Sequence, residues 1–269
     1  MDKILSRDGT VIAYRRRGEG PPVVLVGGAL GTSADDAVLA ALLEPRFTVV
    51  TYDRRGRGAS GDTGPYAVCR ETEDLAAVVE RAGGHGERVS VFGMLSGGAL
   101  VLEAAAAGVP MDRLAVFEPP YTSGPDGRLY KARCTALLRE LLAAGDRAGA
   151  VALYLSRSGV PEPTVARMRR APLWAGLEAV AHTLAYDDAL LGDGSVPVER
   201  LASVTARALV VTGGFSTARA HRTTLALAAA LPRARHRTLT GQTRELAPQA
   251  IAPVLADFFG RDVFARLAS

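Results

Sequence analysis

Val91-Phe92-Gly93-Met94-Leu95-Ser96-Gly97-Gly98 joins two unlike stretches of chain. Residues 88–92 lead into it and read as a short strand. Residues 98–107 follow it and are Ala-rich, as suits a helix packed closely against its neighbours. The glycines between them punctuate the change of period. Read outward, the same alternation recurs. Towards the N-terminus the chain is expected to open with a β-hairpin, in which residues 10–17 alternate as a strand after the Asp8-Gly9 turn. Val23-Val24-Leu25-Val26 is fully apolar, as a strand buried on both faces of a parallel sheet should be. Residues 47–51 give a further strand and residues 71–82 an amphipathic helix. Towards the C-terminus, strands are expected at 113–117, 208–212 and 236–239, and helices at 218–231 and 250–259. Strands alternating with helices predict an α/β fold with a mostly parallel, doubly wound sheet.

The stretch from 121 to 201 breaks the rhythm. It reads as helices at 131–144, 148–157, 164–171 and 177–185, with no strand, and is too long for an ordinary connection. The expected organisation is therefore a core formed by 1–120 and 202–269 and a helical cap formed by 121–201.

Composition narrows the function classes. Nearly half of the 269 residues are hydrophobic, so a large core is easily buried. No apolar run approaches about 18 residues, so no membrane partner is expected. Residues 1–20 are polar and Arg-rich rather than leader-like, and the expected location is cytoplasmic. Net charge is +4, carried almost wholly by Arg, with Lys3 and Lys131 the only lysines. The basic residues are scattered without an aromatic stripe, which argues against a nucleic-acid partner. Cys69 and Cys134 read as reduced thiols, and neither has a His or an acid at motif spacing. The four His show no zinc spacing, and no metal site is expected. No cofactor is expected either: 93–98 is not G-x-G-x-x-G, and there is no P-loop.

Taken together, the motifs resemble the α/β-hydrolase family. Residues 91–98 resemble its nucleophile elbow, a strand–turn–helix in which small residues flank the nucleophile at two positions on either side. Val26-Gly27-Gly28-Ala29 is similar to the oxyanion loop. Tyr52-Asp53-Arg54-Arg55-Gly56-Arg57-Gly58-Ala59-Ser60 is similar to the D-x-R-G-x-G-x-S loop. Gly241-Gln242-Thr243-Arg244 is similar to the G-x-x-H turn, and 121–201 to the cap. The resemblance covers essentially the whole chain and implies an α/β-hydrolase fold.

The same resemblance exposes departures. The frame with Gly93 and Gly97 at the small positions puts Leu95 where the nucleophile belongs. Sliding by one selects Ser96 but asks Met94 to fill a small position in a tight turn. An alkyl side chain cannot form a covalent intermediate. The family histidine maps onto Arg244, whose guanidinium cannot act as a base. No Asp or Glu lies between Leu201 and Arg244; the nearest candidate acid is Glu118, after the strand at 113–117, whose alternative role is to hold Arg244 or a backbone amide.

The residues expected to act are therefore Arg244, His182, Glu118 and Ser96. His182 lies on an apolar helical stretch, and imidazole is the usual side chain for acid–base work. Gly28 or Ala29, with the amide of Ser96, are expected to form an oxyanion site, and Leu30 and Leu95 an apolar floor. Tyr130, Tyr154, Trp174, Tyr186 and Phe215 are candidates for an aromatic wall. Arg54, Arg55 and Arg57 read as structural or solvent-facing, and Asp53 as the holder of its loop.

Three readings of function stand side by side. The favoured one is a non-hydrolytic enzyme acting on a small hydrophobic partner, polycyclic or polyketide-like. The resemblance suggests natural-product or antibiotic biosynthesis: cyclisation, C–C bond formation, ring opening or rearrangement. The others are a residual serine hydrolase using Ser96, and a ligand-binding protein without chemistry.

Overall fold

The computed structural model describes residues 1–84 and 86–267. The main-chain order is β1 (Asp2–Leu5), β2 (Val11–Arg17), β3 (Pro22–Val26), α1 (Ala37–Leu43), β4 (Thr48–Tyr52), α2 (Val68–Gly83), β5 (Ser90–Met94), α3 (Ser96–Ala106) and β6 (Arg113–Phe117). Helices α4 (Gly124–Ala143), α5 (Arg147–Arg157), α6 (Glu162–Met168), α7 (Leu173–Ala179), α8 (Leu184–Leu190) and α9 (Val198–Leu201) follow. The chain closes with β7 (Arg207–Gly213), α10 (Ala218–Ala230), β8 (Ala234–Leu239) and α11 (Pro248–Leu267).

The eight strands form one sheet in the order β1-β2-β4-β3-β5-β6-β7-β8. The pairings of β1 with β2 and of β2 with β4 are antiparallel, and the rest are parallel. Every residue of β3, β4 and β6 is buried, as a sheet covered by helices on both faces demands. One apolar cluster joins α2, α3 and α10 to one face of the sheet. A second joins α1 and α11 to the other. This is the expected α/β-hydrolase architecture, with a helical insertion between β6 and β7. No helix among the described residues is long and apolar enough to cross a membrane.

Register decides where the loops emerge. Val26 pairs with Gly93, Gly93 with Val116, and Val116 with Val210. The carboxyl ends of β3, β5, β6 and β7 are thus aligned, and the loops that follow them share one edge of the sheet. The insertion lies over this edge, with Leu30 of the loop after β3 in the same apolar cluster as Leu138, Val151, Trp174 and Leu184.

One local expectation needs correction, and one pair of alternatives is decided. The helix expected at 177–185 is broken into α7, a 3₁₀ turn (Ala181–Thr183) and α8. Arg147 donates to the carbonyls of Glu178 and Ala179, meeting acceptors that a helix end leaves free. His182 therefore sits on a tight turn and not on an apolar helix face. The arginines after β4 do not face solvent: Arg54, Arg55 and Arg57 are among the most deeply buried side chains of the protein. Asp53 does hold its loop, accepting from the backbone of Ser33 and Ala59. His85, one of the four histidines, lies outside the described residues.

Candidate active site

The turn between β5 and α3 is made by Leu95, at φ 52° and ψ −120°. A non-glycine residue rarely adopts such angles, which cost about 1–3 kcal/mol. The small flanking residues are required by contact. A Cβ on Gly97 would strike the carbonyl oxygens of Val26 and Gly27, and one on Gly93 would lie 2.6 Å from the oxygen of Gly97. Leu95 is accordingly the residue displayed by the turn, and Ser96 is the first residue of α3. At that position the Ser96 N–H has no intrahelical acceptor.

Leu30 at φ 60° and Glu118 at φ 43° are the other two non-glycine residues with positive φ among those described. All three follow aligned strands at the same sheet edge, so the unusual backbone is concentrated at one place. Gly28 lies beside the turn: a Cβ there would stand 3.6 Å from that of Leu95.

A cavity of about 90 Å³ opens above Leu95. Leu95, Leu138, Leu153, Leu184, Leu191 and Tyr154 supply its apolar wall, and Ala29, Ser96 and Asp187 reach it from below. Tyr130 and Arg244 also line it. Arg157, Arg219 and Arg244 are shared with a second chamber of about 300 Å³, which Glu118, Phe215 and Ser216 border on the outer side.

The cavity floor rests on a buried ionic cluster that the sequence reading missed. Arg54 donates from Nε to Glu71 at 2.6 Å and from Nη1 to Asp187 at 2.8 Å. Arg57 donates to the other oxygen of Asp187 at 2.6 Å and to Thr183 Oγ1 at 3.1 Å. Burial pushes the Asp187 carboxyl up, but the guanidiniums of Arg54 and Arg57 outweigh it and hold the group below the usual carboxylate range. The Ser96 hydroxyl is hydrogen-bonded to Asp187, and Arg54 Nη1 is 3.5 Å from it. The D-x-R-G-x-G loop fixes only Arg55 by its pattern and leaves Arg54 and Arg57 at its variable positions, and nothing local to Asp187 marks it, because its guanidinium partners lie 130 and more residues away.

The expected site residues therefore divide. Ala29, Leu95, Ser96, Tyr130 and Arg244 meet at the inner cavity, and Glu118 and Phe215 at the outer chamber. Glu118 is buried and accepts from the Gly213 amide at 2.8 Å, the backbone-holding alternative of the sequence reading. The others are elsewhere. His182 is held by Asp62, with Nε2 to Oδ2 at 3.0 Å. Tyr186 donates to the same carboxylate and stacks on Tyr66, with ring centroids 3.9 Å apart. Trp174 is buried in the cap cluster and donates to Glu178. Leu30 is in that cluster too. These four pack the cap or its seam and do not line the cavity; for His182 and Tyr186 the cause is the break after α7, which turns them towards Asp62.

No family model matches the chain. Solved structures do. An alpha/beta hydrolase from Sphaerobacter thermophilus DSM 20745 is 52% identical, over 96% of this chain and 100% of that one, with a TM-score of 0.86. A hydrolase from Pseudomonas aeruginosa PA01 is 25% identical over 96% and 98%, with a TM-score of 0.76. The enol-lactonase from Burkholderia xenovorans LB400, at 23% identity over the whole of both chains and a TM-score of 0.62, shares the fold. The chain belongs to the α/β-hydrolase superfamily.

Proposed function

We propose that the protein is an enzyme that binds a hydrophobic carbonyl compound over Leu95 and acts on it by orientation and polarisation, without an acyl-enzyme. The observation that carries this reading is the turn itself. The side chain displayed where the family presents its nucleophile is alkyl, at φ 52°, and has no lone pair with which to attack. Arg244, in the loop where the family carries its histidine, stays protonated and can hold or polarise an oxygen but cannot remove a proton.

What remains suits non-covalent chemistry. The free N–H of Ser96 and the adjoining Gly27–Ala29 loop suit a developing oxyanion. Confinement against an apolar wall supplies orientation, worth up to about 7–11 kcal/mol in well-aligned cases. Ring opening, rearrangement, cyclisation and C–C bond formation all fall within this repertoire. The size of the inner cavity narrows the substrate. Pockets for drug-sized ligands begin at about 300 Å³, so about 90 Å³ favours a small acyl or aryl group there, with the remainder of the molecule in the outer chamber.

Hydrolysis through Ser96 is the second reading, and the relatives described as hydrolases favour it. It needs a proton acceptor for the Ser96 hydroxyl. Asp187 is in contact, but two guanidiniums make it a weak base.

Incubation with a fluorophosphonate probe and a short p-nitrophenyl ester separates the two. Intact mass without an adduct, and no release of p-nitrophenol from cooperatively folded protein, is the expected result. A one-to-one adduct on Ser96 with turnover would replace the first reading by the second.

A further inference from the structure

The neck between the two chambers is cationic, and its cations are unevenly matched. Lys131 pairs with Asp188 at 3.0 Å, and Arg157 lies 3.7 Å from the same carboxylate. Asp187, the other carboxylate on the inner cavity, is already shared by Arg54 and Arg57. Glu118, on the outer chamber, is engaged by the Gly213 amide. Arg219 and Arg244 line both chambers, and neither forms an ion pair or hydrogen bond with another described residue.

The two come from separate segments. Arg244 is in the loop after β8, and Arg219 is in the first turn of α10. That turn carries no acidic residue and places a cation at the positive end of the helix. This arrangement works against helix stability, since a first turn favours anions. Two unmatched guanidiniums and the positive end of a 13-residue helix thus converge on one opening, at the end of an apolar chamber.

We infer that the neck is a carboxylate-recognition subsite, and that the substrate is an amphipathic monocarboxylate. Its acyl or aryl end, with the reacting carbonyl, lies over Leu95 against Leu138 and Leu153, and its carboxylate is held between Arg219 and Arg244. Guanidinium groups match the planar, two-oxygen geometry of a carboxylate. This assignment rests on the proposal that the cavity is the substrate site, and it names the substrate class for that site.

The test is titration of isotopically labelled protein with octanoate and with octanamide, its neutral counterpart, followed by NMR at low and high salt. Octanoate is expected to shift the methyl signals of Leu95, Leu138 and Leu153 and to bind at least tenfold more tightly than octanamide, with the advantage shrinking at high salt. Arg219→Gln is expected to weaken octanoate severalfold while leaving octanamide unchanged, and Arg244→Gln to weaken octanoate severalfold more than octanamide. Thermal unfolding and the unperturbed spectra establish that both variants are folded. Equal affinities, or variants that weaken both probes alike, would overturn the carboxylate subsite while leaving the cavity as a binding site. Failure of both probes to shift the cavity methyls would overturn both.

Discussion

Arg54 and Asp187 lie 2.8 Å apart, both buried, one from the loop after β4 and the other from cap helix α8. With Arg57 on the second oxygen of Asp187, they fasten the cap to the core beneath the cavity. Removing one member of such a set strands the other charges away from water, a cost of about 3–5 kcal/mol. Asp187→Ala is therefore expected to lower stability by about that amount in urea unfolding. Folding also lowers the pKa of Asp187. Its contribution is present at neutral pH and is lost as acid titrates the folded carboxyl, below the usual carboxylate range. Stability measured from pH 6 to pH 2 should fall less steeply in Asp187→Ala than in the parent; equal slopes would show that the carboxylate is not held this way.

Asp36 has the opposite sign. It caps α1 without a side-chain hydrogen bond, and its Oδ2 is buried without a partner. Burial, with Asp35 nearby, pushes its carboxyl up to about 7. The folded state then holds a proton that the unfolded state has released. Stability should fall as pH rises from about 4 to about 7 and level off above. Asp36→Asn should remove this slope and be more stable than the parent at pH 8 by about 2–4 kcal/mol. Parallel denaturation curves at pH 5 and pH 8 make the comparison.

Gly97 is a contact requirement. Because a Cβ there meets the backbone oxygens of Val26 and Gly27, no rotamer can relieve the overlap. Gly97→Ala is expected to cost about 3 kcal/mol and to displace the loop after β3. A variant that unfolds at the parent's denaturant midpoint would contradict the close approach of α3 to that loop.

The backbone at Leu95 is that of a nucleophile turn, and Glu118 stands at the end of the neighbouring strand. Leu95→Ser combined with Arg244→His should therefore gain fluorophosphonate labelling at residue 95 and measurable hydrolysis of p-nitrophenyl acetate. Either single variant should show much less, since the nucleophile and base act as a unit. Labelling at Ser96 in the double variant would instead place the reactive position one residue further on.

The parts of this fold legible in the sequence are those with local causes. Apolar runs such as 113–117 give strands whose burial follows from composition, and the glycines around Leu95 report a turn whose geometry tolerates little else. Other features have distant causes. Arg55 reads equally as a structural or a solvent-facing residue until Asp74 and Asp8 close around it. His182 and Tyr186 read as pocket residues until the break after α7 turns them to Asp62. The hairpin strand β1 is short and largely exposed, so the Asp8-Gly9 turn, and not an apolar pattern, announces it. Arg219 and Arg244 lie 25 positions apart in unlike segments, and only the register of β7 against β8 brings their loops together.

The positive φ angles at Leu30, Leu95 and Glu118 mean that the working edge is shaped by the main chain more than by the groups mounted on it. It resembles a tool holder whose jaws keep their spacing whichever bit is fitted. A side chain substituted at position 95 is delivered to the same point above the sheet, provided it tolerates the turn. New reactivity can therefore be tried here one residue at a time, on a scaffold that need not refold to accept it.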